Sequence, residues 1–232
     1  MPRTLNNVVR QTLTEMAYDE IIDALETGLL KAGEKINESV LARQLGISRF
    51  PVREALRSLQ KIGLVLFEPF KGVRVIPATR AHIRDILQVH FSLEELSIRL
   101  MMEKLTAERV AELERRIEVM RQSADMADLV RADLDFHRAV CVYSENTPLI
   151  NSWQPLTSHI LVCMHAGLPL YENRSEHIQT HADILAAIKT GDVTQALNVL
   201  RRHCRARIKK LAATEAAGAG RPKAAAGGLS AG

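Results

Sequence analysis

Apolar positions recur every three or four residues along most of this chain, the spacing of amphipathic helices, and give way to β-rich runs in one short stretch. Val9, Leu13, Met16, Ala17, Ile21, Ala24 and Leu25 predict a helix over Val8 to Leu30, closed by the turn Lys31-Ala-Gly33. Asn37 is placed to cap a second helix, Glu38 to Leu45. A third runs from Arg49 to about Ile62 and stops at Gly63. Then Leu64–Phe67 and Val73–Ile76 flank Pro69–Gly72 as a hairpin.

After Pro77 the helical period returns. Thr79 caps a helix to about Lys104, and Thr106 caps another to about Met126. A third covers about Leu129 to Tyr143. Thr147 and Pro148 start a fourth that reaches His165. Gly167 to Arg174 reads as a loop. Ser175 caps a helix ending at Gly191, and Asp192 opens the last, to about Ala213. From Glu215 the chain is Ala/Gly-rich without a period, the composition of a disordered tail. The expected fold class is therefore mainly α: residues 1–77 form a winged helix-turn-helix, residues 78–214 an all-helical bundle of about six helices, and residues 215–232 a tail.

The third helix is the most informative element. Arg49, Arg53, Arg57 and Lys61 stand four residues apart and form one cationic stripe, while Val52, Leu56 and Leu59 form an apolar one. Gly46 suits the tight turn before it, Ser48 can cap it, and Pro51 falls in its first turn, where the missing N–H costs little. A helix buried on one side, basic on the other and entered by a sharp turn is the recognition element of a helix-turn-helix.

Composition adds less. The chain of 232 residues is 47% apolar but 4% aromatic, which favours helix-on-helix packing. The formal charge of +4 is too small to indicate nucleic acid by itself; its concentration around the third helix says more. Cys141, Cys163 and Cys204 are scattered, as in a reducing cytoplasm. The N-terminus lacks an apolar signal core, and no apolar run approaches the roughly 20 residues a membrane span needs, so the expectation is a cytoplasmic protein with no membrane partner.

A second constellation lies in the helical region. Asp133 and His137 are one turn apart on one helix. His181 precedes the Gly191-Asp192 turn by about as many residues as His203 follows it, so an antiparallel pair brings the two imidazoles to one height. One carboxylate and three imidazoles suit a divalent ion of the Zn, Ni or Mn type. Ordinary hydrogen-bonded core histidines remain the competing reading of this spacing. His90, His159, His165 and His177 show no such arrangement and read as packing or surface residues.

Residues 33–76, GEKINESVLARQLGISRFPVREALRSLQKIGLV followed by KGVRV, resemble the winged helix-turn-helix of the GntR family of bacterial transcription regulators. Asp133-Leu-Asp-Phe-His137, Asn146-Thr-Pro-Leu149, His181, Ile184–Ile188, Gly191-Asp192, Ala196 and His203 resemble, in order, the FCD effector domain of its FadR subgroup. The resemblance implies a homodimer on a palindromic double-stranded operator, a metal held by Asp133, His137, His181 and His203, and a small-molecule effector of carboxylate type. It also implies that Ser48, Arg49 and Arg53 reach bases and phosphates, with guanine the natural partner of Arg49. Arg43 then serves a phosphate, and Lys71 and Gly72 form the wing tip. Arg57 and Lys61 read as a solvated face, and Glu54 as a holder of neighbouring arginines. The sequence departs from the family at His90, in Val89-His-Phe-Ser-Leu-Glu94, where an Arg facing the pocket is usual. His cannot reproduce the two-point grip of a guanidinium on a carboxylate. Asn146 and Arg174 are further pocket candidates. The function expected is a ligand-responsive repressor; a metal sensor without organic effector and a metal-dependent hydrolase are the alternatives.

Overall fold

Thr12 fixes where the first helix starts. Its hydroxyl accepts from the Glu15 N–H at 3.2 Å, and the Glu15 carboxylate accepts from the Thr12 N–H at 2.7 Å. Helix α1 is accordingly Leu13–Glu26. The computed structural model describes residues 11–167 and 173–218, so the part of the expected helix before Gln11 lies outside the described residues.

Strand β1 (Lys35–Ile36) precedes α2 (Glu38–Gln44), whose Asn37 cap accepts from the Ser39 and Val40 N–H groups. Helix α3 is Arg49–Lys61. Gly46 takes a left-handed φ of 67° in the turn between them. Ser48 holds the cap position of α3 but makes no side-chain cap bond, which corrects the expectation from its residue type. Val52, Leu56 and Leu59 are fully buried. Strands β2 (Val65–Glu68) and β3 (Gly72–Val75) form the antiparallel wing, with Val65 opposite Val75. β1 adds to the other edge of β3, in the order β1-β3-β2. Sequence reading missed β1 because two residues carry no period.

Six longer helices follow: α4 (Arg80–Met102), α5 (Ala107–Gln122), α6 (Met126–Tyr143), α7 (Thr147–His165), α8 (Arg174–Lys189) and α9 (Val193–Gly218). Two starts differ from expectation, each because of the side chain that caps. Asp125 accepts from the Asp128 N–H and starts α6 early, and Asn173, not Ser175, accepts from the Glu176 N–H ahead of α8. Helix α9 continues through residues 215–218, which the expected tail included; the remainder of that tail lies outside the described residues. All three cysteines are buried and free. Among the described residues no helix is long and apolar enough to cross a membrane.

The chain divides into two compact units, residues 1–86 with 147–168 and residues 87–146 with 169–232. Helix α7 thus packs with the winged unit, although it follows three helices of the bundle in sequence. Val162 joins the core formed by Ile21, Leu25, Leu56, Leu59 and Val75. Polar contacts fasten it further. Ser158 donates to Glu26 Oε1 at 2.6 Å, and His165 Nε2 donates to the Glu26 carbonyl at 2.8 Å. His159 Nε2 donates to the carbonyl of Ile62, the C-cap of α3, at 2.8 Å, and His82 Nε2 lies 3.1 Å from its other ring nitrogen.

Candidate functional site

Helices α6, α8 and α9 of the second unit bring Asp133, His137, His181 and His203 together, with one ligand-type atom from each lying within 4.8 Å of the others. All four are buried, between 0% and 5% exposed. The one-turn spacing on α6 and the matched heights on α8 and α9 do what the sequence pattern required of them.

Their hydrogen bonds set the tautomers. His137 Nδ1 lies 3.1 Å from Glu94 Oε1. His181 Nδ1 donates to the carbonyl of His177 at 2.8 Å. The Thr180 hydroxyl donates to that same carbonyl at 2.7 Å, so its oxygen is left to accept from His203 Nδ1 at 3.1 Å. His181 and His203 therefore carry their protons on the outward nitrogen and turn a bare Nε2 inward, while the His137 Nε2 faces them. His137 Nε2 and His181 Nε2 are 3.1 Å apart, His181 Nε2 is 2.7 Å from Asp133 Oδ1, and His203 Nε2 has no hydrogen-bond partner. A bare imidazole nitrogen held against a carboxylate oxygen in an enclosed site is repelled by it; a cation between them removes the conflict. The donor set and its orientation fit a divalent ion.

Two neighbours were not legible as members of this site. His177, one turn before His181, places Nε2 2.9 Å from Asp133 Oδ1. It was expected to be a packing or surface residue, because one more His on a helix carries no separate signal in sequence. Arg207, one turn after His203, is 3% exposed and donates to Asp133 Oδ2 at 3.1 Å. The i, i+4 relations to His181 and His203 were the available clue. Glu94 is fully enclosed, with His137 Nδ1 3.1 Å and His90 Nδ1 3.2 Å from its Oε1. His90 is therefore tied to the cluster through Glu94, and it is not merely a packing residue.

The electrostatics follow from burial. Burial alone would raise the Asp133 pKa, but the Arg207 guanidinium, His177 and hydrogen bonds from His137 and His177 outweigh it and hold the carboxyl well below its usual range. Burial pushes His137 down to about 4, partly offset by Asp133. Burial, reinforced by the crowding of further imidazoles and, at His90, by Arg207, also depresses His90 and His203 well below the ordinary imidazole value. These rings stay neutral in the folded protein while the unfolded chain takes up protons below about pH 6.5, so acid favours unfolding. The metal-free protein is expected to lose melting temperature as pH falls from about 6.5 to 4. Lowering of the Asp133 pKa acts in the same direction at still lower pH. Thermal melts across that range check this; a flat profile would mean that the rings are already charged when folded.

The remaining pocket candidates lie as follows. Asn146 sits in the turn after α6, its N–H donating to the Ser144 hydroxyl at 3.2 Å. Arg174 donates to the carbonyls of Met120, Arg121 and Ser123 and so closes the C-terminal end of α5. Those carbonyls occupy Arg174 away from Asp133 and the three histidines, a placement its sequence position did not suggest. Asp135, one strand-like step from Asp133 in sequence, turns away and pairs with Arg116.

The winged unit presents its cations outward. Arg43, Ser48, Arg49, Arg53, Lys71 and Gly72 are all exposed. Arg49 opens α3 with its side chain 67% exposed, 3.7 Å from Glu38. Glu54 lies 3.7 Å from Arg57, with both side chains exposed. Two exposed aromatics accompany them: Phe50 beside Arg49, and Phe70 at the wing tip with a left-handed φ of 63°.

Comparison with known proteins supports both halves. Residues 13–75 match the bacterial regulatory proteins of the gntR family, and residues 85–206 match the FCD domain. The HTH-type transcriptional regulator McbR of Escherichia coli (strain K12) is 29% identical over 206 residues, covering 85% of this chain and 89% of that protein. The HTH-type transcriptional repressor NanR of Cronobacter sakazakii is 26% identical over 219 residues, 84% of each chain. Among solved structures, E. coli McbR/YncC superposes with a TM-score of 0.76 at 26% identity, covering 89% of this chain and all of that one. These relatives are regulators and not enzymes, which sets the hydrolase alternative aside.

Proposed function

This chain belongs to the gntR family of bacterial regulatory proteins with an FCD domain, and from that premise we propose a repressor whose hold on DNA is set by a divalent ion and a small organic acid in its helical unit. It is a DNA-binding transcription regulator, and its relatives include a repressor. The observation that carries the metal half is the inward convergence of three imidazole nitrogens and one Asp133 oxygen. Asp133, His137, His181 and His203 hold the ion, of Zn, Ni or Mn type. When bound, the ion supplies a Lewis-acidic position for an oxygen of the acid. The His177 carbonyl and the Thr180 hydroxyl keep the His181 and His203 imidazoles in register for it.

The protein acts in the cytoplasm as a homodimer on a palindromic operator. Two copies of α3 then read half-sites about one DNA turn, ~34 Å, apart. Helix α6, which carries Asp133 and His137, continues through three residues into α7, the helix fastened to Glu26 and Ile62 of the winged unit. That chain continuity supports α7 as the route by which the site changes the setting of the recognition helix.

Operator titration tests the DNA half. Arg49→Ala is expected to cost ~1–3 kcal/mol on the operator and to relax preference at one base position. Lys71→Ala is expected to weaken all sequences alike and make the salt slope shallower by about one. Unchanged affinity for Arg49→Ala removes the base-contact role.

A metal-sensing reading without organic effector is favoured by one observation. His90, fully enclosed, stands where a carboxylate-gripping Arg was expected. Operator affinity that responds fully to metal alone, with no added effect of organic acids, selects it.

A further inference from the structure

His177 borders the cluster on its His181 side. Its ring centroid is 4.6 Å from that of His181 and 5.9 Å from that of His203. The corresponding separations inside the set are 5.0 Å for His137 and His181, 4.8 Å for His181 and His203, and 5.6 Å for His137 and His203. Its Nε2 lies 2.9 Å from Asp133 Oδ1, the oxygen that also faces His181 Nε2 at 2.7 Å and His137 Nε2 at 3.6 Å. The other carboxylate oxygen, Oδ2, is taken by Arg207. Two donors bound about 2.1 Å from one ion lie about 3.0 Å apart at right angles and about 3.4 Å apart in a tetrahedron. In the metal-free protein the contact between His177 and Asp133 is a hydrogen bond donated by the His177 Nε2–H; its length is also that of neighbouring corners of an octahedron, so a move of the proton to Nδ1 leaves Nε2 placed to ligate. The side chain of His177 is 9% exposed, against 0% for His181 and 3% for His137, so it stands on the more open side of the cluster.

We propose that His177 is a fifth protein ligand, so that four imidazoles and one monodentate carboxylate hold the ion. The inference rests on the metal reading above and deepens it in two ways. Five nitrogen and oxygen donors suit an ion that accepts six ligands, of Ni²⁺ or Co²⁺ type, better than four-coordinate Zn²⁺. They also leave a single open position, so the organic acid binds through one oxygen and the rest of its recognition falls to side chains around the site. Arg207 serves as a positioning residue: by occupying Oδ2 it keeps Asp133 monodentate and leaves room for His177 beside Oδ1.

The full-length protein, stripped with a chelator and titrated with Co²⁺, provides the test. Wild type is expected to show the weak visible absorption of a five- or six-coordinate ion. X-ray absorption on the same sample, which needs no variant, should count four imidazoles. His177→Gln keeps an amide N–H to donate to Asp133 Oδ1 but offers no imidazole nitrogen. It should give the stronger bands of a lower coordination number and bind Co²⁺ about 10–100-fold more weakly in chelator competition. Three imidazoles in the wild type, or a variant with wild-type spectrum and affinity, overturns the fifth ligand and leaves the four-residue site standing. Failure of wild type to bind any cobalt overturns the metal reading and this inference together.

Discussion

Asp133→Ala should destabilise the metal-free protein by about 3–5 kcal/mol and abolish the rise in melting temperature that a divalent ion gives the wild type. The carboxylate is fully enclosed and is the counter-charge to Arg207, itself 3% exposed. It also receives His177 at 2.9 Å. Truncation leaves a buried guanidinium facing imidazoles in place of an anion, the circumstance in which breaking an ion pair costs most. Asp133→Asn separates shape from charge. It keeps the volume and an acceptor oxygen, so it should recover part of the stability but little of the ion-induced stabilisation. At an ion concentration one hundred times Kd the wild type gains ~2.7 kcal/mol, and both variants should gain almost none. Denaturant melts with and without Zn²⁺ or Ni²⁺ check each half separately. A metal-free Asp133→Ala protein as stable as wild type would mean that the buried charges contribute nothing to folding. A variant with full ion-induced stabilisation would remove Asp133 from the ligand set.

Legibility in sequence followed the strength of the local signal. Stripes with a helical period placed α2 and α3 to within a residue, because Asn37, Gly46 and Gly63 mark their ends with distinct backbone demands. Helix starts slipped where several capping residues lay close together, as at Asp125 and Asn173. The four-residue cluster was legible because an i, i+4 pair and a symmetric antiparallel turn both convert spacing into position. Glu94, His177 and Arg207 were missed because their roles depend on rotation of α4, α8 and α9 about their own axes, which no single spacing reports. The grouping of α7 with the winged unit was equally hidden. Its apolar face reads alike whether it packs on α1 or on another helix, and only Ser158, His159 and His165 reveal the partner once the chain is folded.

That grouping makes Leu59→Ala the most telling change outside the cluster. Leu59 is fully buried in the core shared by α1, α3, the wing and Val162 of α7. Truncation in such a site removes transfer energy and leaves a cavity, together about 2–5 kcal/mol. Operator binding should fall with the folded fraction of the winged unit. This distinguishes it from Arg49→Ala, which should lose affinity at an unchanged melting temperature. The location of the damage is the sharper readout. Because none of the cluster residues lies in this core, Leu59→Ala should bind Co²⁺ with wild-type affinity. Hydrogen exchange should rise across residues 13–76 and also across Thr147–His165, since the anchors to Glu26 and Ile62 loosen with the core that holds them. Exchange across α6, α8 and α9 should stay near wild type. If α7 instead remained as protected as α6, its contacts with α1 and the C-cap of α3 would be too weak to carry a signal, and the route from Asp133 and His137 to the recognition helix would have to run elsewhere.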